Sequence, residues 1–330
     1  MPRVSVIIPI HNREKLLPAT LDSMAKQTLG DWECLLVDDD SADDSFQVAS
    51  EYATRDGRFV AFRRKGERGN ANVCRNQGLA ASSGEYIVFL DSDDLLAPSC
   101  LEKRVQFMDL HGELDFVVFS GELFLLDPGD LGQAQNSSDC HDDLTASLTL
   151  DHPWGTPNPI WRRKSLLKVG PWDEGLVKWQ DVEFHVRALV KGLRYARSSL
   201  RDVYVRVDGG IGLPGSPKPL ASPEALRKAE GWLATVEDCL RQHGAWNSDR
   251  SKQLGALYFW FALRMCEYGN LPQSMRTWRR AAERNLVSWF TLLQGMLLLF
   301  LLRWKRFVPG FDWLCPISRW KRRNGLLTAY

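Results

Sequence analysis

From residue 1 to about 95, short unbroken apolar runs alternate with stretches whose apolar positions recur at helical spacing. That alternation is the signature of βα units around a mainly parallel open sheet flanked by helices. The runs predict strands at 4–10, 33–37, 58–62 and 86–90, with helices near 14–26, 43–54 and 72–82 between them. A helix over 98–111 and a strand over 115–120 follow, and then a less regular region to about 150. The pattern returns with Pro159-Ile160-Trp161, a helix starting near Lys164, the turn Gly170-Pro171-Trp172-Asp173-Glu174, a helix over 181–191 and a strand over 203–207.

The segment from Gly209 to Pro219 is rich in Gly and Pro and reads as a loop at a domain boundary. The chain therefore divides into an α/β domain over 1–210, a linker over 211–222 and an α-helical region over 223–330. Helices are predicted at 223–243, 249–268, 271–284 and 286–306. The spacing of Trp232, Val236 and Leu240, and of Leu257, Phe261 and Met265, fits helix–helix packing. Residues 286–302 are apolar apart from Ser288, Thr291, Gln294 and Gly295. At 17 residues the stretch sits at the lower limit for crossing a bilayer core of about 30 Å. Basic residues follow it, and Trp289, Trp304, Trp313 and Trp320 suit the headgroup zone. A buried helix of the appendage and peripheral membrane contact through 286–323 both stay open, with a true span the least favoured.

Composition adds two exclusions. With 42 basic against 41 acidic side chains the net charge is +1, so the chain has no overall basic footprint and no nucleic-acid partner is expected. The seven cysteines are scattered, without a C-x-x-C pair, which suggests free thiols in a reducing compartment. Met1-Pro2-Arg3 leads straight into a strand-like run with no signal-peptide core, so a cytoplasmic location, at the inner face of the membrane if the last helix binds there, is the expectation.

In open α/β sheets, ligands sit beyond the carboxyl ends of the strands. There the chain places His11-Asn12-Arg13, Asp38-Asp39-Asp40-Ser41 and Asp91-Ser92-Asp93-Asp94. Carboxylates repel a nucleotide diphosphate unless a cation lies between them, so such clusters imply metal. On an extended segment Asp91 and Asp93 project to one side, and hard oxygen ligands suit Mg²⁺ or Mn²⁺. The competing reading is that Asp93 and Asp94 cap the following helix. In the second cluster, one Asp or Ser41 is expected as an N-cap and another Asp as acceptor for a base N–H or ribose hydroxyl. Arg75, on the helix between the clusters, is a candidate for offsetting phosphate charge.

Together, Val4-Ser5-Val6-Ile7-Ile8-Pro9-Ile10-His11-Asn12-Arg13, Val37-Asp38-Asp39-Asp40-Ser41, Cys74-Arg75-Asn76-Gln77-Gly78-Leu79 and Gly84-Glu85-Tyr86-Ile87-Val88-Phe89-Leu90-Asp91-Ser92-Asp93-Asp94 resemble the family 2 glycosyltransferases of the GT-A fold. The resemblance covers residues 1 to about 210. It implies that Pro9, His11, Asn12, Asp39, Ser41, Arg75 and Asp91 line the nucleotide and that Asp93 binds the metal. His11 stands where relatives usually carry an aromatic residue, and Asp40 where they carry Gly. Trp172, Asp173, Trp179 and Gln180 resemble an acceptor-side segment, with Gln180 replacing a Glu, and Asp181 is then the candidate catalytic base. Arg206 and Asp208 resemble a donor-loop segment, with Asp208 in place of a His.

The function implied is inverting transfer of a sugar from a nucleotide-diphosphate donor, with a UDP-sugar expected, to a hydroxyl of a carbohydrate, glycolipid or protein acceptor in cell-surface polysaccharide or glycolipid synthesis. The alternatives are a nucleotidyl- or phosphoryl-transfer enzyme, disfavoured by the lack of a phosphate-binding glycine loop after the first strand, and a non-catalytic nucleotide-sugar-binding scaffold.

Overall fold

The computed structural model describes residues 1–66, 69–135, 142–149, 153–176, 178–207 and 223–304. It comprises two compact units, Met1–Asp139 with Pro153–Pro217, and Cys140–His152 with Lys218–Tyr330.

The first unit contains the strands β1 (Val4–Ile10), β2 (Trp32–Asp38), β3 (Phe59–Arg63), β4 (Tyr86–Phe89), β5 (Leu95–Leu96), β6 (Phe116–Phe124), β7 (Gln133–Gln135), β8 (Pro159–Arg162) and β9 (Tyr195–Arg206). Among the described residues they form one sheet in the order β3-β2-β1-β4-β8-β6-β9-β5, with β7 paired to β6. Strands β1 to β4 are parallel, as the sequence predicts. Beyond β4 the sheet is mixed: β8 is antiparallel to β4 and β6, whereas β9 is parallel to β6.

Every residue of β1 is buried, because helices cover both of its faces. Val4, Val6, Ile8 and Ile10 join a core with α1 (Leu17–Ala25), α2 (Ser45–Arg55) and α4 (Cys100–Leu110). Ile7 points the other way, into a core with α6 (Arg163–Val169) and α7 (Gln180–Val190). On that side α3 (Ala71–Ala81) approaches closely, since a Cβ on Gly78 would lie 2.5 Å from the Ile7 side chain. The chain runs β1, β2, β3 toward one edge and then returns to place β4 on the other side of β1. The strand order therefore reverses between β1 and β4, where a ligand crevice is expected.

Arg104 on α4 is fully buried and paired with Asp202 on β9 through two bonds of 2.7 and 2.6 Å, while its third nitrogen donates to the Pro157 carbonyl at 2.9 Å. This fork ties the helix to the mixed half of the sheet.

The predicted strand at 203–207 is the end of the much longer β9. Its first half, Tyr-Ala-Arg-Ser-Ser-Leu-Arg, carries no clear apolar pattern: Arg197, Ser199 and Arg201 are exposed, while Ala196, Ser198 and Leu200 on the other face are only partly buried, and the segment pairs with β6. The irregular region after 120 contains the rest of β6, then β7 and the short helix α5 (Asp143–Leu148), which belongs to the second unit.

The second unit also contains α8 (Pro223–Gln242), α9 (Ser248–Glu267), α10 (Leu271–Glu283) and α11 (Trp289–Trp304). Trp232, Val236, Leu240, Leu257, Phe261 and Met265 are buried, as helical spacing predicts. Helix α11 begins three residues later than expected, and among the described residues no helix is long and apolar enough to cross a membrane. The five described cysteines are buried free thiols, and Cys140 and Cys315 lie outside the described residues.

Removing one member of a buried ion pair leaves the other charge uncompensated. Asp202→Ala is expected to lower unfolding free energy by about 3–5 kcal/mol, measured by urea denaturation. Arg104→Met combined with Asp202→Leu should recover most of that loss.

Candidate active site

Three strand tips meet at the switch point. The loop after β1 is bonded to the loop after β2: His11 Nδ1 lies 2.9 Å from the Asp39 carbonyl, and the Asn12 N–H donates to Ser41 Oγ at 3.1 Å. Asn12 Oδ1 accepts from the Ala42 N–H at 2.8 Å. A carbonyl can only accept, so His11 carries its proton on Nδ1, and its Nε2 then accepts from the Asn12 amide at 3.2 Å. Pro9 is buried in β1, and its missing N–H falls beyond the last β4 partner, where no ladder bond is lost.

Asn12 and Asp40 have φ of 53° and 58°, in the left-handed region where Asn, Asp and Gly are tolerated. Asp40 is thus one of the few residue types other than Gly that tolerate the conformation this loop requires. No member of the Asp38–Ser41 run caps α2: the helix starts at Ser45 with Asp44 at the cap position and no side-chain cap bond. Ser41 Oγ accepts the Asn12 N–H, and Asp43 accepts the Ser45 N–H at 3.1 Å and the Glu14 N–H at 3.2 Å.

Asp39 is buried and bonded to Arg64 at 2.6 Å, with both side chains nearly inaccessible. A polar cleft lined by Asp40, Arg63, Arg64 and Gly66 opens beside the pair. Arg64 was not singled out from the sequence, although it directly follows β3, where the strand-end rule points.

The Asp91-Ser92-Asp93-Asp94 cluster is a turn rather than an extended segment, since the Asp94 N–H donates to the Asp91 carbonyl at 3.1 Å. Ser92 and Asp94 are nonetheless the buried members and Asp91 and Asp93 the more open ones. Neither Asp93 nor Asp94 caps a helix: β5 intervenes before α4, and Asp94 accepts the Arg206 N–H at 2.9 Å. Arg13 lies 3.5 Å from Asp93, and Arg206 Nε donates to the Asp93 carbonyl at 3.1 Å. Burial pushes the Asp93 carboxyl up, Arg13 opposes this, and Asp91 pushes it up again. Asp94 is raised further, by burial and then by Asp93 and Asp91.

Arg75 is buried and donates to Asp91 at 2.7 Å and to Asn72 Oδ1 at 3.0 Å, with its guanidinium over the Trp172 ring at 4.6 Å. Its charge is therefore met by Asp91 within the protein. Trp172 is itself buried and stacked on Phe184 at 4.2 Å, so its indole is packing beneath Arg75 and offers no open face to an acceptor.

A row of asparagines on α3 holds the segment that contains Trp172. Asn72 donates to the carbonyls of Asp173 and Leu176, and Asn76 bonds both the N–H and the carbonyl of Trp172. Asn70, the N-cap of α3, donates to the Glu174 carbonyl at 2.8 Å. Asp173 closes the turn by accepting the Gly175 N–H at 2.8 Å. These asparagines were missed as functional candidates, because a polar helix face reads as solvated until its partner is known.

Trp179 precedes α7 with φ 51° and ψ 31°, and Gln180 is the first helical residue. Asp181 follows in the first turn, half-buried, with Oδ1 3.0 Å from the Val182 N–H. Its helix is joined to the other candidates through the Phe184–Trp172 stack. Asp208 lies outside the described residues.

The residues fit a divalent cation by donor chemistry: hard oxygens, raised by burial and mutual repulsion, would be relieved by added positive charge. No group of three or more His, Cys, Asp or Glu among the described residues is arranged to hold a metal. The remaining ligands would have to come from a bound diphosphate and water.

An open α/β sheet with carboxylates gathered at its switch point is the architecture of the GT-A class of glycosyltransferase domains. Residues 5–168 match the family described as "Glycosyl transferase family 2", and the chain carries a family 2 glycosyltransferase domain. EpsH of Bacillus subtilis (strain 168) is 35% identical over 105 residues, covering 32% of this chain and 30% of that protein. The GalNAc(5)-diNAcBac-PP-undecaprenol beta-1,3-glucosyltransferase of Campylobacter jejuni is 36% identical over 106 residues, covering 32% of this chain and 34% of that enzyme. The matched segments thus span only about a third of each relative. Among solved structures, S. aureus TarS superposes with TM-score 0.61 at 20% identity, covering 93% of this chain and 53% of TarS. TarS 1–349 in complex with UDP-GlcNAc gives 0.55 at 20% identity, covering 86% and 91%.

Asn72 is almost fully buried and serves two carbonyls and Arg75. Asn72→Ala is expected to cost about 1–3 kcal/mol in urea denaturation, the penalty for buried polar groups left unpaired. Amide exchange over 172–176 should accelerate in the same variant, and unchanged protection there would show that the asparagine row does not hold the turn.

Proposed function

We propose that this chain is an inverting glycosyltransferase that moves a sugar from a UDP-sugar to an acceptor hydroxyl in the synthesis of a surface polysaccharide or glycolipid. The observation that carries the reading is the junction of the β1, β2 and β4 tips, which joins Asp39 to Asp93 through the His11-Asn12-Arg13 segment. The family match, the UDP-GlcNAc bound to TarS and the lipid-linked acceptor in the name of the Campylobacter enzyme support the donor and acceptor classes.

In this reading His11 and Asn12 flank the base, and Asp39, held in place by Arg64, accepts a hydrogen bond from a ring N–H. Ser41 and Pro9 shape the same loop from below. Arg75 holds Asp91 toward the ribose, and Arg206 fixes the turn that presents Asp93. A Mg²⁺ or Mn²⁺ ion held by Asp93 would offset charge on the departing diphosphate. Asp181, at the start of α7, takes the proton of the attacking hydroxyl, and attack opposite the leaving group inverts the anomeric centre. Gln180, Trp179 and Asp173 border that acceptor side. A carboxylate base in reach contributes roughly 10²–10⁴-fold.

Asp181→Asn is therefore expected to lower sugar transfer by about 10²–10⁴-fold, with UDP affinity unchanged by calorimetry. Full activity would remove Asp181 from the reaction. Transfer by the unaltered protein should stop on chelation and return with Mn²⁺ or Mg²⁺, and Asp93→Ala should abolish that dependence together with activity. The product should gain the mass of one sugar residue. A gain of phosphate or nucleotide mass would refute the reading, and so would donor binding without turnover across a panel of carbohydrate and lipid-linked acceptors.

A further inference from the structure

Helix α11 has two faces with opposite fates. One is fixed inside the second unit: Leu292 and Leu299 are buried, the Trp278 indole donates to the Leu292 carbonyl at 3.0 Å, and the Cys266 thiol donates to the Leu299 carbonyl at 3.3 Å. The other face presents Trp289, Phe290, Leu293, Leu297, Phe300 and Leu301, each between 37% and 70% exposed. These six are half of the twelve exposed large hydrophobic residues among the described residues, gathered on one helix of 16 residues. Scattered exposed apolar side chains are ordinary, but a continuous stripe marks an interaction surface.

Three observations select the occupant. Over its described residues the helix is about 24 Å long, short of a bilayer core, and its buried face is committed to neighbouring helices, which favours an interfacial over a spanning placement. Aromatic residues stand at its N-terminal end, where an amphipathic ring suits the boundary between headgroups and acyl chains. The chain that follows, 303–323, contains seven Lys or Arg against the single Asp312, which complements an anionic surface rather than another copy of the same basic segment.

We propose that the exposed face of α11, with the basic segment after it, docks this protein on the surface of an anionic membrane, the helix lying in the interface plane. Apolar side chains supply the insertion and the Lys and Arg residues supply selectivity for negative headgroups. The inference does not depend on the transferase reading, because it uses none of the residues assigned to the reaction.

The test is co-sedimentation of the full chain with phosphatidylcholine vesicles, with and without phosphatidylglycerol. The protein is expected to bind the anionic vesicles at least about tenfold more tightly than the neutral ones, and less tightly as salt is raised. Leu293→Ser combined with Leu297→Ser should weaken anionic-vesicle binding by about tenfold or more, with the melting temperature unchanged because both side chains are exposed. The proposal is overturned if the unaltered protein stays in the supernatant with anionic vesicles, or if the double variant sediments as well as the parent. It is also overturned if the double variant turns a dimer into a monomer, by light scattering, without altering vesicle binding. That last outcome would identify a second copy of the chain as the occupant.

Discussion

Like charges at short range in a partly dry site repel far more strongly than they do in water. The sheet nevertheless delivers carboxylates to neighbouring strand tips. Three of them are answered by arginines from different parts of the chain: Arg64 after β3 for Asp39, Arg75 on α3 for Asp91, and Arg13 after β1 with Arg206 at the end of β9 for the Asp93 turn. The compensation is incomplete, because burial and then Asp91 still push the Asp93 carboxyl up, and burial, Asp93 and Asp91 push Asp94 well above its ordinary range. A dianionic diphosphate added to such a site would deepen the imbalance, whereas a cation shared between turn and diphosphate would reverse it. The same electrostatic condition thus shapes the loops and sets the requirement on what they can bind.

How far this arrangement could be read in advance depended on whether each residue's partner was local. The strands β1, β2 and β4 were legible because burial on both faces leaves unbroken apolar runs, and the polar residues immediately after those runs marked the tips. Asp39, Asp91 and Asp93 could be picked out for that reason. The arginines that answer them lie 25, 16 and 80 positions away in sequence, and a basic side chain carries no pattern that names a distant partner. Trp172 failed in the opposite direction: its motif position suggested an acceptor-side surface, yet the Phe89 and Phe184 rings and Arg75 enclose it. The first half of strand β9 escaped because its inward positions, Ala196, Ser198 and Leu200, are only partly buried, so no row of large apolar residues marks a core face. The family match likewise falls within residues 5–168, the part of the chain that contains these local patterns.

Helix α3 gives the two sides of the proposed reaction a common mechanical origin. Arg75 fixes Asp91 on the donor side, while Asn70, Asn72 and Asn76 fix the backbone from Trp172 to Leu176 on the acceptor side. Asn72 does both, accepting from Arg75 and donating across to Asp173 and Leu176. The helix cannot drift independently of the sheet, because at Gly78 it sits too close to Ile7 and Val37 to admit even a methyl group. A displacement of β1 would be passed through that contact to both sides at once. Reaction between bound groups is sensitive to misplacement of about an ångström, so a single rigid helix that references donor and acceptor segments to the central strand is a physical reason for the polar Arg-Asn-Gln-Gly sequence on an element that would otherwise be expected to show an ordinary solvated face.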